Sequence, residues 1–183
     1  MGRYRFALAA AIFALAVFSC TKEDAKTRYS RQEQDIESFV NSILSSVDTA
    51  YVVHNAGSSR VVVVPGNGDS LSTDGTVSFH YAGYVLKSNR LSSSDLFATN
   101  DKDIATAAGW TLSDDSAFEI KTLNVSSDGL VTGLRNGLHG VRAGQECYIL
   151  FSGKYGFGKH QSGTIPANAA LAYHIKVESI SNE

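Results

Sequence analysis

The chain has 183 residues, of which 43% are apolar and 10% aromatic, so it can form one domain with a buried core and added segments. A net charge of −2 and a pI near 6.2 give no basis for nucleic-acid binding, which favours strongly basic surfaces. Beyond the N-terminus, no segment stays apolar over the roughly 20 residues that a membrane-spanning helix needs.

The N-terminus has the pattern of a secretory signal. Two arginines precede the apolar run 6–18, and Ser19 and Cys20 follow it. A charged start, a short apolar middle and a small residue before the cleavage point are typical of exported proteins. The tetrad Val-Phe-Ser-Cys that ends at Cys20 resembles a bacterial lipobox. It predicts a lipoprotein signal peptide over 1–19 and lipid attachment at Cys20, and the alternative is an ordinary signal peptide that happens to contain a cysteine.

The residues after Cys20 bear on the location of the protein. Lys22 is followed by two acids, which resembles the surface-export signal of some Gram-negative lipoproteins. An outer-membrane anchor that faces the periplasm is the alternative. Both place the chain in the cell envelope, held to the membrane through its lipid. The polar segment 20–29 is predicted to be a tether.

A first helix is predicted over residues 30–47. Ser30 and Glu33 form a capping-box pattern, and apolar residues then recur at helical spacing. The apolar stripe must be buried. It either packs on the rest of the chain or forms a homodimer with a second copy. We assign 30–58 to this helix and its connection, and 59–183 to the main domain.

Alternating apolar residues then predict a series of strands. Short strands are expected at 51–53 and 60–64, a longer one from Thr76 to Leu86, and others near Leu96 and from Phe118 to Leu123. Residues 98–117 show no regular pattern.

One short helix precedes the last two strands. Leu134, Leu138 and Val141 have helical spacing, and Gly144 is the expected end of this helix. Two alternating strands follow, separated by the glycine-rich loop 153–163. The order predicts an α+β domain in which an antiparallel sheet is covered by one short helix.

Four motifs in this order resemble the FKBP family of peptidyl-prolyl cis-trans isomerases. They are Phe-His-Tyr-Ala-Gly at 79–83, the glycine-bounded helix 133–144, Tyr-Gly-Phe-Gly at 155–158, and Ile-Pro-x-x-Ala-x-Leu at 165–171. The resemblance covers about residues 59–182. It implies a bent antiparallel sheet wrapped around the short helix, with a ligand pocket between them.

The resemblance also implies an apolar pocket for a proline ring, so the expected partners are proline-containing polypeptides. The positions matching the family's catalytic pocket are Tyr81, Phe97, Val131, Leu134, Phe157, Ile165 and Tyr173, with further substrate contacts at Leu130 and Phe118. No cofactor or metal is expected. Rotation about a prolyl bond is opposed only by amide resonance, about 18–20 kcal/mol for an amide, and needs no nucleophile.

Two positions depart from the family pattern. A Phe-Asp pair is usual after the first hairpin, and here the corresponding pair is Phe97-Ala98 or, without a gap, Leu91-Ser92. Both lack the carboxylate. Phe157 stands where a tyrosine is usual, and it cannot donate a hydrogen bond. The sequence therefore favours an isomerase of the cell envelope with weakened activity, and the alternative is a non-catalytic peptide-binding or chaperone-like lipoprotein.

Overall fold

A computed structural model describes residues 3–111 and 114–183, with side chains described from Glu23 onward apart from Asp115. The predicted signal peptide 1–19 and the lipidation site Cys20 thus lie outside the described side chains. The strands are β1 (Tyr51–Asn55), β2 (Ser58–Val64), β3 (Thr76–Leu86), β4 (Leu96–Thr99), β5 (Lys121–Asn124), β6 (Glu146–Phe151) and β7 (Ala170–Ser181). The helices are α1 (Arg3–Ser46), α2 (Lys102–Ala107) and α3 (Thr132–Leu138), and 3-10 turns lie at Ser93–Asp95 and Asp115–Phe118.

All strand pairs of the single sheet are antiparallel. The order is β1-β2-β6-β7-β3-β4, and β5 pairs with the first half of β3 while β4 pairs with the second half. Bulges interrupt the register on β3 and β2, which is where such sheets bend. The predicted fold is confirmed: the chain is an α+β, FKBP-like bent sheet with a short helix and an additional N-terminal helix.

The two faces of the sheet bury two separate apolar clusters. On β7, Leu171, Tyr173, Ile175 and Val177 belong to the larger cluster, together with Leu134 and Leu138 of α3. The intervening Ala170 and Ala172 belong to the second cluster, with Ile36, Phe39 and Val40 of α1. The period of two in a strand separates these sets. The short helix α3 therefore covers one face, and the N-terminal helix α1 covers the other.

Helix α1 packs on its own domain, which is one of the two predicted alternatives. Ile36, Phe39 and Val40 are each 5% exposed or less, and the Phe39 ring lies edge-on to Tyr148 on β6 at 5.4 Å between centroids. The apolar stripe, for which a homodimer was the other alternative, is thus occupied by the sheet of the same chain. Within the described part of the chain, no helix is long and apolar enough to span a membrane.

The start of α1 differs from the prediction. The tether expected at 20–29 is helical, and the capping-box pattern at Ser30 does not begin the helix, because α1 already includes these residues. No glycine or proline interrupts 20–46, so nothing in the backbone stops the helix. Tyr29 also donates a hydrogen bond of 2.7 Å to Asn168, a tertiary contact that supports the earlier helical turn.

Helix α3 lies very close to β6 because it presents glycine to the sheet. A Cβ on Gly133 would clash with the Phe151 ring, and one on Gly137 would clash with Ile149. The helix is also shorter than predicted. It ends at Leu138 and Gly140 turns the chain with φ 79°, so Val141 is buried outside the helix and Gly144 does not end it.

A buried arginine holds the end of α3. Arg60 on β2 is 6% exposed, and its guanidinium donates to the carbonyls of Gly137 (2.8 Å), His139 (2.7 Å) and Gly140 (3.4 Å). The last carbonyls of a helix have no partner within the helix, and a cation near them also opposes the negative end of the helix dipole. Arg60 thus connects β2 to the helix that covers the sheet.

We expect Arg60→Met to lower the free energy of unfolding by about 3 kcal/mol, because it leaves the buried Gly137 carbonyl and two partly buried carbonyls without a donor while keeping the apolar stem. Urea unfolding followed by circular dichroism measures this change. Arg90→Met, at an exposed loop position, is the matched control and should change stability by less than about 0.5 kcal/mol. Equal stability of the two variants would contradict the role given to Arg60.

Candidate functional site

An apolar cavity of about 190 Å³ opens between the sheet and α3. We call it the site cavity. Five elements contribute to it: β3, β4, β5, β7 and the N-terminal end of α3. Its lining residues are Phe79, Tyr81, Phe97, Ala98, Lys121, Leu123, Leu130, Leu134 and Tyr173. Lys121 is the one charged side chain among these described residues, so the cavity wall is almost wholly apolar.

Aromatic rings build one wall of the site cavity. The Tyr173 ring lies edge-on to Phe97, with 5.7 Å between centroids, and 6.5 Å from Tyr81. Phe79 lies edge-on to Tyr81 at 6.0 Å, and Phe151 stacks behind Tyr173 at 6.0 Å. Rings at these separations are held at favourable geometry. The wall therefore presents both faces and edges of apolar rings to a ligand.

The two tyrosines of this wall are neutral hydrogen-bond donors. Burial raises the pKa of Tyr81, and it raises the pKa of Tyr173 further, with a smaller contribution from neighbouring Tyr81. Among the described residues, neither hydroxyl is hydrogen-bonded to another group. The site cavity thus offers two uncharged hydroxyls that a ligand could use without displacing a protein partner.

A buried asparagine holds β4 against β3. Asn100 is 5% exposed, its Nδ2 donates to the carbonyls of Phe79 (3.2 Å) and Glu119 (2.9 Å), and its Oδ1 accepts from the Tyr81 N–H at 2.6 Å. Thr99 Oγ1 donates to the Tyr81 carbonyl at 2.7 Å. These bonds set the position of Phe97 and Ala98 relative to Tyr81. Sequence reasoning missed Asn100 because it lies in a stretch without regular pattern.

Five of the nine predicted site residues line the site cavity, and they come from four separate elements: Tyr81, Phe97, Leu130, Leu134 and Tyr173. Val131, Phe157 and Ile165 belong to the same apolar cluster but lie outside the lining. Val131 precedes the first turn of α3 as its N-cap. Within the described residues, its backbone N–H has no acceptor, so it remains available next to Leu130.

Phe118 is not part of the site cavity. It lies in the 3-10 turn before β5, with Lys102 Nζ 5.7 Å from its ring centroid, in a groove it shares with His80 and Asp101. The strand that was predicted to start at Phe118 starts at Lys121 in the structure. Phe118 therefore lies outside the strand, and strand alternation does not turn its side chain inward. Four lining residues were not assigned to the site by the prediction: Phe79 of β3, Ala98 of β4, and Lys121 and Leu123 of β5.

The structure also distinguishes the two positions considered for the missing carboxylate. Ala98 pairs with Gly83 across β4 and β3 and lines the site cavity. Leu91 packs instead against the cluster on the α1 side of the sheet. A carboxylate at 98 would face the tyrosines, and the alanine leaves apolar surface there. No group of three potential metal ligands occurs among the described residues.

Comparison with known protein families identifies the class to which this chain belongs. A family model described as FKBP-type peptidyl-prolyl cis-trans isomerase matches residues 68–178, more than half of the chain. The chain therefore belongs to the FKBP-type peptidyl-prolyl cis-trans isomerase family. No curated protein sequence matches it at a significant level.

Solved structures of low sequence identity share the fold. FkpA from Escherichia coli is 15% identical with a TM-score of 0.56, and the match covers 99% of this chain and 74% of that one. A peptidyl-prolyl cis-trans isomerase from Pseudomonas syringae is 14% identical with a TM-score of 0.53 (78% and 91% covered). The N-terminal domain of FKBP42 from Arabidopsis thaliana is 16% identical with a TM-score of 0.53 (73% and 92% covered).

We expect Tyr173 to stay protonated at about pH 10, where an ordinary tyrosine is half ionised. The unfolded chain ionises there and the folded chain does not, so the Tyr173 contribution to stability is present below about pH 10 and is lost as the pH rises toward the raised folded pKa. Tyrosinate absorbance measured on the wild-type and Tyr173→Phe chains checks this. Equal absorbance at this pH is expected, and a deficit of about half a tyrosinate in the variant would show that Tyr173 ionises like an ordinary tyrosine.

Proposed function

We propose that this chain is an active prolyl isomerase of the cell envelope and that the site cavity binds the proline ring of its substrate. The observation that carries the proposal is the aromatic wall of Tyr81, Phe97 and Tyr173 around an apolar volume of about 190 Å³. A cavity of this kind suits a small saturated ring with an amide beside it.

The chemistry requires only that the pocket prefer the twisted amide to either planar form. A twisted amide has lost its resonance, so its carbonyl is less polar and loses less on leaving water. Apolar walls therefore favour it over the planar states. The neutral hydroxyls of Tyr81 and Tyr173 and the Val131 N–H are the donors that can hold the substrate carbonyls, and none of them carries a charge.

A non-catalytic peptide binder is the second candidate. Ala98 lacks the carboxylate usual in the family and Phe157 lacks the hydroxyl, and both changes remove polar groups from the region of the site. A lost hydrogen bond costs on the order of 1 kcal/mol, and about 1.4 kcal/mol is a tenfold change in rate. Such losses lower the rate of turnover more than they lower the affinity for the peptide. The same cavity would then still bind peptides in a chaperone-like role.

The isomerase proposal predicts that the full-length chain in detergent accelerates cis-to-trans conversion of an Xaa-Pro peptide. Phe97→Ala should lower kcat/KM at least about tenfold, because it removes a ring worth about 1.5–3 kcal/mol of apolar contact. Phe118→Ala is the matched control, since this aromatic lies outside the site cavity, and its kcat/KM should stay within about twofold. Circular dichroism confirms folding of both variants.

The outcomes separate the two candidates. No acceleration by the wild-type chain at high concentration would reject the isomerase. Peptide binding that Phe97→Ala weakens and Phe118→Ala does not would then support the binder. Equal effects of the two substitutions on both rate and binding would show that the site cavity is not where proline binds.

We also propose that Cys20 carries lipid and that the mature chain begins there, at the outer membrane. The support is the lipobox pattern at 17–20. From Cys20 to Tyr29, nine helical residues extend about 14 Å at 1.5 Å each. A lipid at Cys20 would therefore hold the domain close to the bilayer, whether it faces the periplasm or the cell surface.

Mass spectrometry of the mature N-terminus tests the anchor. A chain that starts at Cys20 and carries the mass of acyl chains, including palmitate, is expected, together with loss of the modification in Cys20→Ala. A mature chain with an unmodified cysteine would support the ordinary signal peptide instead.

A further inference from the structure

The N-terminal helix is hydrogen-bonded to both ends of the loop that joins β6 to β7. We call residues 152–169 the site loop. Gln32 accepts from the Gly153 N–H at 2.9 Å through Oε1 and donates to the Asn168 carbonyl at 2.7 Å through Nε2. Tyr29, one helical turn earlier, donates to Asn168 Oδ1 at 2.7 Å. One amide side chain therefore joins the first and last turns of the site loop.

The end of the site loop needs such support. Asn168 has φ 59°, in the left-handed region that residues with a Cβ rarely adopt, although asparagine tolerates it best among them. Its N–H donates to the Gly158 carbonyl, so the strained residue also closes the loop on itself. Two of the three bonds from α1 go to Asn168, one to its carbonyl and one to its side chain. The third holds the N–H of Gly153 at the other end of the loop.

The site loop is in turn connected to the helix that lines the site cavity. The Tyr155 carbonyl accepts from the Gly133 N–H at 2.8 Å, in the first turn of α3 and next to Leu134. Phe157 and Ile165 of the loop pack against the apolar cluster that contains Tyr173. A displaced loop would therefore move α3 and the apolar surface beside the site cavity.

We infer that Gln32 is a positioning residue for the candidate site, and that Tyr29 assists it. Through them, helix α1 sets the conformation of the site loop and so the affinity for the proline segment. The inference rests on the proposed function for its effect on substrate, but the coupling of α1 to the loop and α3 stands on the geometry alone. It gives α1 a role beyond covering the sheet.

The experiment compares Gln32→Leu with Gln34→Leu in the full-length chain. Gln34 is the same residue type on the same helix, exposed to solvent. In Gln32→Leu we expect amide exchange at Gly153 and Gly133 to become about tenfold faster, because hydrogen bonds that hold the loop are lost. For an Xaa-Pro peptide we expect KM to rise about fivefold while kcat stays within about twofold, because the loop contributes to binding. Gln34→Leu should change neither.

Gly133 is the decisive amide, because Gln32 does not touch it. A purely local loss at the loop would speed exchange at Gly153 only. Gln32→Glu keeps the acceptor for Gly153 but not the donor to Asn168, so it should protect Gly153 and still raise KM. Should Gln32→Leu fail to fold, Tyr29→Phe removes a single hydroxyl and should give smaller changes of the same kind.

Two failures are distinguishable. If the wild-type chain neither turns over nor binds the peptide, the proposed function fails, and exchange at Gly153 and Gly133 still decides the inference. If exchange at Gly133 is the same in the Gln32→Leu and Gln34→Leu chains, the coupling is overturned, whatever the wild-type activity.

Discussion

The two-sided burial of the central strands β6 and β7 is the constraint on which the structure depends. Along β7 the residues alternate between large side chains toward α3 and the small Ala170 and Ala172 toward α1. A slip of one residue would exchange the two faces. It would move Tyr173 from the wall of the site cavity to the α1 side, and it would place bulky residues under the helix. Register, helix packing and the composition of the site are therefore fixed together.

Apolar packing alone does not determine the shape of the site cavity, because dispersion and hydrophobic contacts have little directional preference. Buried and half-buried polar side chains supply that direction. Asn100 holds β4 against Tyr81, and Arg60 holds the end of α3. Gln32 holds the site loop from the opposite side of the sheet. Each polar group bonds backbone atoms of an element that carries or supports lining residues, and each lies outside the lining itself.

The strands and the site aromatics could be predicted from the sequence because their signals are local. Alternation along β3 and β7 places Tyr81 and Tyr173 on the buried face in any antiparallel sheet, and the family motifs identify that face with a pocket. The start of α1 could not be predicted, since the cap pattern at Ser30 is local, whereas the contact of Tyr29 with Asn168 spans 139 residues.

Helix α2 was missed because its six residues have little apolar pattern and its start is set by the Asp101 side chain. Phe118 was misplaced because the first residue of β5 follows from pairing with β3 rather than from local alternation.

The chain lacks two polar groups of the family pocket but retains its aromatic rings, and this difference bears on how the site works. Ala98 and Phe157 lack the polar groups usual in the family, while the aromatic wall of Tyr81, Phe97 and Tyr173 is complete. If the preference for a twisted amide came mainly from charged or strongly bonded groups, these changes would remove it. If it comes from excluding water around a carbonyl of reduced polarity, the wall is sufficient and the remaining hydroxyls only orient the substrate. The polar residues that set the shape of the wall from outside the lining then matter more to the function than polar groups inside it, and in this chain those are Asn100, Arg60 and the half-buried Gln32.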